Sequence, residues 1–334
     1  MRLLIIRLGA FGDILHTLPL AADLVAAGHE VSWWSEDRWA PVLEGSPVLT
    51  RIHRFPRRTL RDPATGWGQR LRVAHAAVAE VRAQGYDAVI DAQGLAKSAL
   101  LARSLGAPLV MGHDRPRARE GAWLLADRRI ASSQVHVIDQ QRDLARGLGL
   151  IPHGSWQFPL PAWTPERATV RAWLDAQGLR VPWMLNVGAG WPTKVWPEAR
   201  QEAFLRALGE RGQPVVVVWG SPAERLVAER LVEATGHGRV APSTSLPELC
   251  ALLAHAAVVV SGDTGPLHAA LAVGTPAVGL FGPVPAERNG PRGAAYRTFQ
   301  APGAAWERRD VSKVDMGAIT HEQVIAAAEE IARR

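Results

Sequence analysis

Apolar residues in this chain fall in short blocks separated by amphipathic stretches, the alternation that predicts a parallel sheet wrapped by helices. In the first half, Leu3 to Arg7 predicts a strand. Gly9-Ala-Phe-Gly12-Asp13 then turns into a helix that runs to about Ala27, where Gly28 permits a left-handed cap. Glu30 to Trp34 and Tyr86 to Asp91 read as strands, and Leu71 to Gln84, Gly94 to Leu105 and Val137 to Leu148 as helices. The Pro- and Arg-rich stretch before Leu71 reads as a loop, and Asp114 to Ser133 is weakly periodic.

Proline and glycine between Ile151 and Pro165 mark a linker, after which the alternation repeats more cleanly. Met184 to Val187, Val215 to Trp219, Val258 to Ser261 and Ala277 to Phe281 read as strands. Helices follow Trp196-Pro197, open at Gly220-Ser-Pro-Ala-Glu224, and run over Pro266 to Val273. Two capping boxes, Ser245-Leu-Pro-Glu248 and Thr320-His-Glu-Gln323, start a helix ending near His255 and the final helix. The expected fold is α/β: two doubly wound, Rossmann-like parallel-sheet domains facing one another, over residues 1–155 and 166–319, with 320–334 as a terminal helix.

Length and composition agree with this picture. At 334 residues the chain exceeds what a single core usually organises, and 47% hydrophobic with 21% charged residues describes an ordinary globular protein. No apolar run approaches the roughly 18 to 20 residues of a membrane span. The run Leu3-Leu4-Ile5-Ile6 is broken by Arg7 and is too short for a signal peptide. Cys250 is the one cysteine, which excludes intrachain disulfides and cysteine-built zinc sites, and a cytoplasmic monomer is expected. The net charge of +6 is almost all arginine; the lysines are Lys97, Lys194 and Lys313. Such a surface attracts anionic membranes more readily than nucleic acid here, since no recognition motif with interleaved aromatics accompanies it.

Candidate chemistry lies where strands pass into helices, the ligand-binding edge of open α/β sheets. Asp13 follows two glycines at such a junction. It reads either as a first-turn acid complementing the helix dipole or as a base facing the cleft. A dinucleotide site, with Glu36 on a ribose, is the rival; the full G-x-G-x-x-G fingerprint is missing, and Asp13 would oppose a pyrophosphate. Three loops of the second half form a stronger set. The first carries Gly188-Ala-Gly190-Trp-Pro-Thr-Lys194, whose lysine is either solvated or a phosphate partner. The second offers Glu224, a dipole-complementing acid or a ribose ligand. The third, Gly262-Asp263-Thr264-Gly265-Pro-Leu-His268, sets small residues on a helix N-terminus, a ready anion site. There Asp263 reads as an Asx-turn residue and His268 as either a phosphate-facing or a core histidine. The chain has no D-x-D pair, Walker A sequence, H-E-x-x-H or G-x-S-x-G, so leaving-group charge would fall to Lys194, backbone amides and a helix N-terminus, without metal.

Four segments carry a resemblance: Gly12-Asp13-Ile-Leu-His-Thr-Leu-Pro19, Val89-Ile-Asp-Ala-Gln-Gly-Leu-Ala-Lys-Ser98, Thr193-Lys194-Val-Trp-Pro197 and Asp263-Thr-Gly-Pro-Leu-His268. Through them nearly the whole chain resembles the bacterial lipopolysaccharide heptosyltransferases, glycosyltransferase family 9. The resemblance implies a GT-B fold with an acceptor domain followed by a donor domain, and inverting transfer of L-glycero-D-manno-heptose from ADP-heptose to the Kdo of Kdo-lipid A, with no cofactor. It implies Asp13 as general base, Lys194 on phosphate, Glu224 on ribose, and Asp263, Thr264, Gly265 and His268 around the pyrophosphate. By the same likeness Thr244 meets the adenine, and Arg57, Arg58, Arg61, Lys97, Arg119 and His136 meet the anionic acceptor. It further implies domain closure that expels water, transient docking on the inner membrane face, and a final helix packed on the first domain. In similar proteins hydroxyl residues stand where this chain has Ala189 and Gly190, so backbone amides would make those donor contacts. Two other readings remain beside it: a nucleotide-binding dehydrogenase and a non-catalytic sugar-nucleotide sensor.

Overall fold

The computed structural model describes residues 1–304 and 314–333; Lys313 lies outside them. The chain divides into two compact units, Met1–Ala162 and Trp163–Arg334, so the boundary falls within the Pro- and Gly-rich stretch.

The first unit runs β1 (Arg2–Ile6), α1 (Phe11–Ala26), β2 (Glu30–Glu36), β3 (Leu49–Phe55), α2 (Arg57–Arg61), α3 (Trp67–Arg82), β4 (Ala88–Asp91), α4 (Ala96–Ser104), β5 (Leu109–His113), β6 (Arg128–Ile130) and α5 (Val137–Arg142). Its strands form one parallel sheet in the order β3-β2-β1-β4-β5-β6. The central strands are apolar on both faces, with Leu3, Leu4, Ile5 and Ile6 of β1 fully buried. Three strands were not expected. β3 carries Thr50, Arg51, His53 and Arg54 between its apolar residues, β5 contains Gly112, and β6 is three residues of which two are arginine. The helix expected over 137–148 keeps α geometry only to Arg142 and tightens to a 3-10 helix from Asp143 to Leu148. Gly147 sits there against Met111, where a Cβ would approach the sulfur to 2.5 Å.

The second unit runs α6 (Thr164–Ala176), β7 (Trp183–Asn186), α7 (Glu198–Glu210), β8 (Val215–Val218), α8 (Pro222–Thr235), β9 (Arg239–Val240), α9 (Leu246–Leu253), β10 (Val258–Gly262), α10 (Gly265–Ala272), β11 (Ala277–Phe281), α11 (Ala286–Asn289), β12 (Tyr296–Gln300) and α12 (His321–Ala332). Its parallel sheet has the order β12-β11-β10-β7-β8-β9. Read from β9 this is the same winding as the first sheet, with the crossover reversal between β7 and β10 matching that between β1 and β4. In such sheets ligands bind beyond the carboxyl ends at that reversal.

The placement of α12 corrects an expectation. Val324, Ile325, Ala328 and Ile331, spaced to share one helical face, are buried in the second unit's own core with β10, β11, β12 and α7. Each large apolar side chain buried there contributes roughly 1.5–3 kcal/mol, and Thr320 accepts from the Gln323 amide to start the helix where that face meets the sheet.

Candidate active site

The first cluster forms around the β1–α1 junction. Asp13 occupies the third position of α1, where its carboxylate accepts a bond from the Ala10 amide at 3.2 Å. It is also paired at 2.7 Å with the guanidinium of Arg7, which is itself buried and donates to the Ala92 carbonyl. Asp13 thus does two things at once: it caps the helix and, with its side chain 42% exposed, presents an oriented carboxylate to an open cleft of about 1040 Å³. Gln93, just past β4, accepts from the Leu8 and Gly9 amides at 3.1 and 3.4 Å and ties the two strand ends together. Asp91 beneath it accepts from the Gln93 and Gly94 amides, and burial pushes its carboxyl up to about 6 despite those bonds.

Gly9 has a different reason from the one expected. A Cβ there would come within 2.5 Å of the Trp39 indole nitrogen, so the glycine makes room for a tryptophan rather than for a ligand. Arg57, Arg58, Arg61 and Lys97 line the same cleft as Asp13, where basic side chains outnumber acidic ones six to four. Glu36, the rival ribose ligand, pairs with Arg57 at 3.1 Å and lies 3.8 Å from Lys97. Partial burial first, and then the Arg57 charge, hold the Lys97 ammonium below its usual pKa. Two of the expected acceptor residues are not among the cleft-lining residues. Arg119 is exposed beside Gly94, whose carbonyl accepts its backbone amide, and His136 is fully buried, capping α5 through the Ile138 amide and stacking on Trp156.

The second cluster lies at the carboxyl ends of β7, β8 and β10. Lys194 is no solvated surface lysine: its ammonium bonds the Asp263 carboxylate at 2.5 Å and the Asp263 carbonyl at 3.1 Å. The Asp263 carboxylate is only 2% exposed, with its other oxygen bonded by the Asn289 amide and 3.4 Å from His268 Nε2. Burial alone would raise its pKa; His268 and Lys194 overcome that and hold it far below the usual carboxylate range. The Asp263 side chain therefore backs the lysine rather than bonding its own turn, a correction to its reading as an Asx-turn residue.

Glycines let the Lys194 loop lie across the sheet edge. A Cβ on Gly262 would meet the Lys194 carbonyl at 2.8 Å, and one on Gly282 the Thr193 carbonyl at 2.7 Å. The Thr193 hydroxyl is buried without a hydrogen-bond partner among the described residues. Ala189 and Gly190 stand partly to fully exposed in the same loop, Gly190 with open space where a side chain would go. Thr264 starts α10, with its hydroxyl 3.2 Å from both Ser261 Oγ and the Asn186 amide nitrogen. Pro266 has no N–H and the Leu267 and His268 amides bond the Thr264 carbonyl, so at the start of α10 the Gly265 amide is the donor left for an anion among the described residues. Glu224 accepts from the Gly220 amide at 2.7 Å, and its carboxyl lies where a Cβ on Gly188 would be, 2.0 Å away. Thr244 is half-buried next to Ser245, the cap of α9. Arg7, Gln93, Asn186, Ser261 and Asn289 were not anticipated. Asn186, a polar residue ending the strand Trp-Met-Leu-Asn, was the visible signal among them.

Residues 74–316 match glycosyltransferase family 9 (heptosyltransferase). The chain is 33% identical over 295 residues to lipopolysaccharide heptosyltransferase 1 of Pseudomonas aeruginosa, covering 85% of this chain and 79% of that protein. It is also 33% identical to lipopolysaccharide heptosyltransferase 1 of Salmonella typhimurium, covering 85% and 89%. Among solved structures, E. coli heptosyltransferase WaaC with ADP-2-deoxy-2-fluoro heptose superposes with a TM-score of 0.79 at 29% identity, covering 99% of both chains. The two parallel sheets described above are those of that GT-B architecture.

Proposed function

This chain belongs to glycosyltransferase family 9, the heptosyltransferases, and from that premise we propose that it transfers L-glycero-D-manno-heptose from ADP-heptose to the Kdo of Kdo-lipid A, with inversion and without a metal. The names of its relatives support lipopolysaccharide as the acceptor class, and the ADP-heptose analogue on WaaC supports the donor. The observation that carries the reading is the Asp13 carboxylate, oriented by buried Arg7 at the edge of a basic cleft.

In this mechanism the second unit holds the donor. Lys194, steadied by Asp263, and the Gly265 amide at the start of α10 neutralise the diphosphate as it leaves. Glu224 takes the ribose hydroxyls, and the Thr244 segment takes the adenine. In the first unit Arg57, Arg58, Arg61 and Lys97 hold the anionic acceptor, with Arg119 adding charge near Gly94. Asp13 removes the acceptor proton as the hydroxyl attacks the anomeric carbon opposite ADP, and positive charge that builds on the sugar is stabilised by the same carboxylate. The Arg7 ion pair keeps that carboxylate aimed. No helix of the described residues is long and apolar enough to cross a membrane. We place the enzyme, as a monomer, at the cytoplasmic face of the inner membrane, where a lipid-borne acceptor is available.

The test offers a panel of nucleotide-diphosphate sugars and then Kdo-lipid A, with Asp13→Asn and Asp13→Ala beside the parent. ADP-heptose is expected to be consumed with acceptor-dependent product. Each variant is expected to bind ADP normally while turnover falls about 10²–10⁴-fold. Near-normal turnover in the variants removes Asp13 as the base. A different preferred sugar keeps the family and changes the donor.

A further inference from the structure

The first unit carries a surface that the proposed reaction does not use. Helix α3 packs inward through Ala77, Val78 and Val81 against the core cluster of β1 and β4. Its first two turns also turn apolar residues outward: Trp67 is 73% exposed and Leu71 55%. Four residues apart, they stand one above the other on one helical side. Leu100, Leu124 and Ile151, also exposed in this unit, lie on other elements and are not paired in this way.

Cations surround the pair. Arg70 and Arg72 flank Leu71 in the sequence, and α2, which packs on α3, brings Arg58 and Arg61. Arg70 donates to the Asp62 carbonyl and so keeps its charge uncompensated, and neither it nor Arg72 forms an ion pair with a described carboxylate. Asp62 and Glu80 are the acids of this segment, and Glu80 is engaged by His53. An exposed tryptophan and leucine on a helix edged by unpaired arginines match an anionic bilayer in both respects. The indole and leucine favour the headgroup boundary, and the guanidinium groups favour lipid phosphates.

We propose that the start of α3 is a docking surface for an anionic lipid bilayer, with Trp67 and Leu71 entering the headgroup region and Arg70 and Arg72 on the phosphates. The proposal rests on the reading of this unit as the one that takes a lipid-borne acceptor. Docking through α3 sets α2, with Arg57, Arg58 and Arg61, against the membrane surface, so the acceptor's sugar reaches the cleft without the lipid leaving the bilayer.

The experiment sediments the full chain with vesicles of phosphatidylcholine alone and of phosphatidylcholine with phosphatidylglycerol. In parallel it measures turnover on a deacylated, water-soluble Kdo acceptor. The parent is expected to bind the anionic vesicles preferentially and to lose that preference in high salt. Trp67→Ala/Leu71→Ser is expected to weaken vesicle binding roughly tenfold, and Arg70→Gln/Arg72→Gln to abolish the preference for anionic lipid. Both variants should keep parental turnover on the soluble acceptor. Parental vesicle binding by the first variant overturns the proposal. So does a loss of soluble-acceptor turnover with vesicle binding unchanged, which would make α3 a cover of the acceptor cleft. A parent that binds vesicles yet never uses the Kdo acceptor leaves the docking surface standing and overturns the acceptor assignment instead.

Discussion

At the scale of single residues, several side chains proved to have jobs set by neighbours far away in the chain. Asp13 is both helix cap and cleft carboxylate because Arg7, one strand-end earlier, draws one oxygen while the other side stays open. Asp263 sits in a tight turn yet works as the counter-charge of Lys194, 69 residues before it. Gly188 is the sharpest case. Its missing Cβ is occupied by the Glu224 carboxyl, so Gly188→Ala must push that carboxyl out of the position proposed for ribose. A lost bond to a charged group costs about 1.5–3 kcal/mol, so ADP affinity in Gly188→Ala should fall roughly 10- to 100-fold with little change in melting temperature. Calorimetric titration with ADP checks this, and unchanged affinity would separate Glu224 from the nucleotide.

At the scale of elements, caps and periodicity were the reliable signals. Ala277–Phe281 is the strand its apolar run predicts, and both capping boxes start helices where Ser245 and Thr320 stand. Elements without such signals went unread: β3 interleaves Thr50, Arg51, His53 and Arg54 with its three apolar residues, and β6 is Arg-Arg-Ile. Both lie at or beside a sheet edge, where one neighbour's hydrogen bonds suffice to make a strand and no apolar pattern is demanded. The box at Thr320 was legible; the partner of its helix was not. Because α12 closes the second unit's core, Thr320→Ala is expected to lower stability by about 1 kcal/mol. The loss should appear in the unfolding transition that ADP raises, as seen by thermal melts with and without nucleotide. An effect confined to a transition insensitive to ADP would return α12 to the first unit.

At the scale of the whole molecule, two sheets with the same winding each place their functional loops at the reversal of strand order. If the second carries the donor, ADP should slow hydrogen exchange chiefly in residues 186–194, 220–225 and 262–268, with saturating nucleotide at 100 times its dissociation constant adding about 2.7 kcal/mol of stability. Protection centred on residues 9–13 and 93–97 would reverse the assignment. The sequence by itself determined the α/β class, the two-part division, the family and the loops that hold Asp13, Lys194, Glu224 and Asp263. Those properties depend on local chemistry: buried parallel strands must be apolar, helix starts need caps, and tight turns need glycine. Only the tertiary structure decided that Asp263 is buried behind Lys194, that His136 is a core cap outside the cleft-lining set, that Gly9 accommodates Trp39, and which core α12 completes. Each of these is a contact between residues distant in sequence, and a helical face or a polar side chain states that it needs a partner without saying which one.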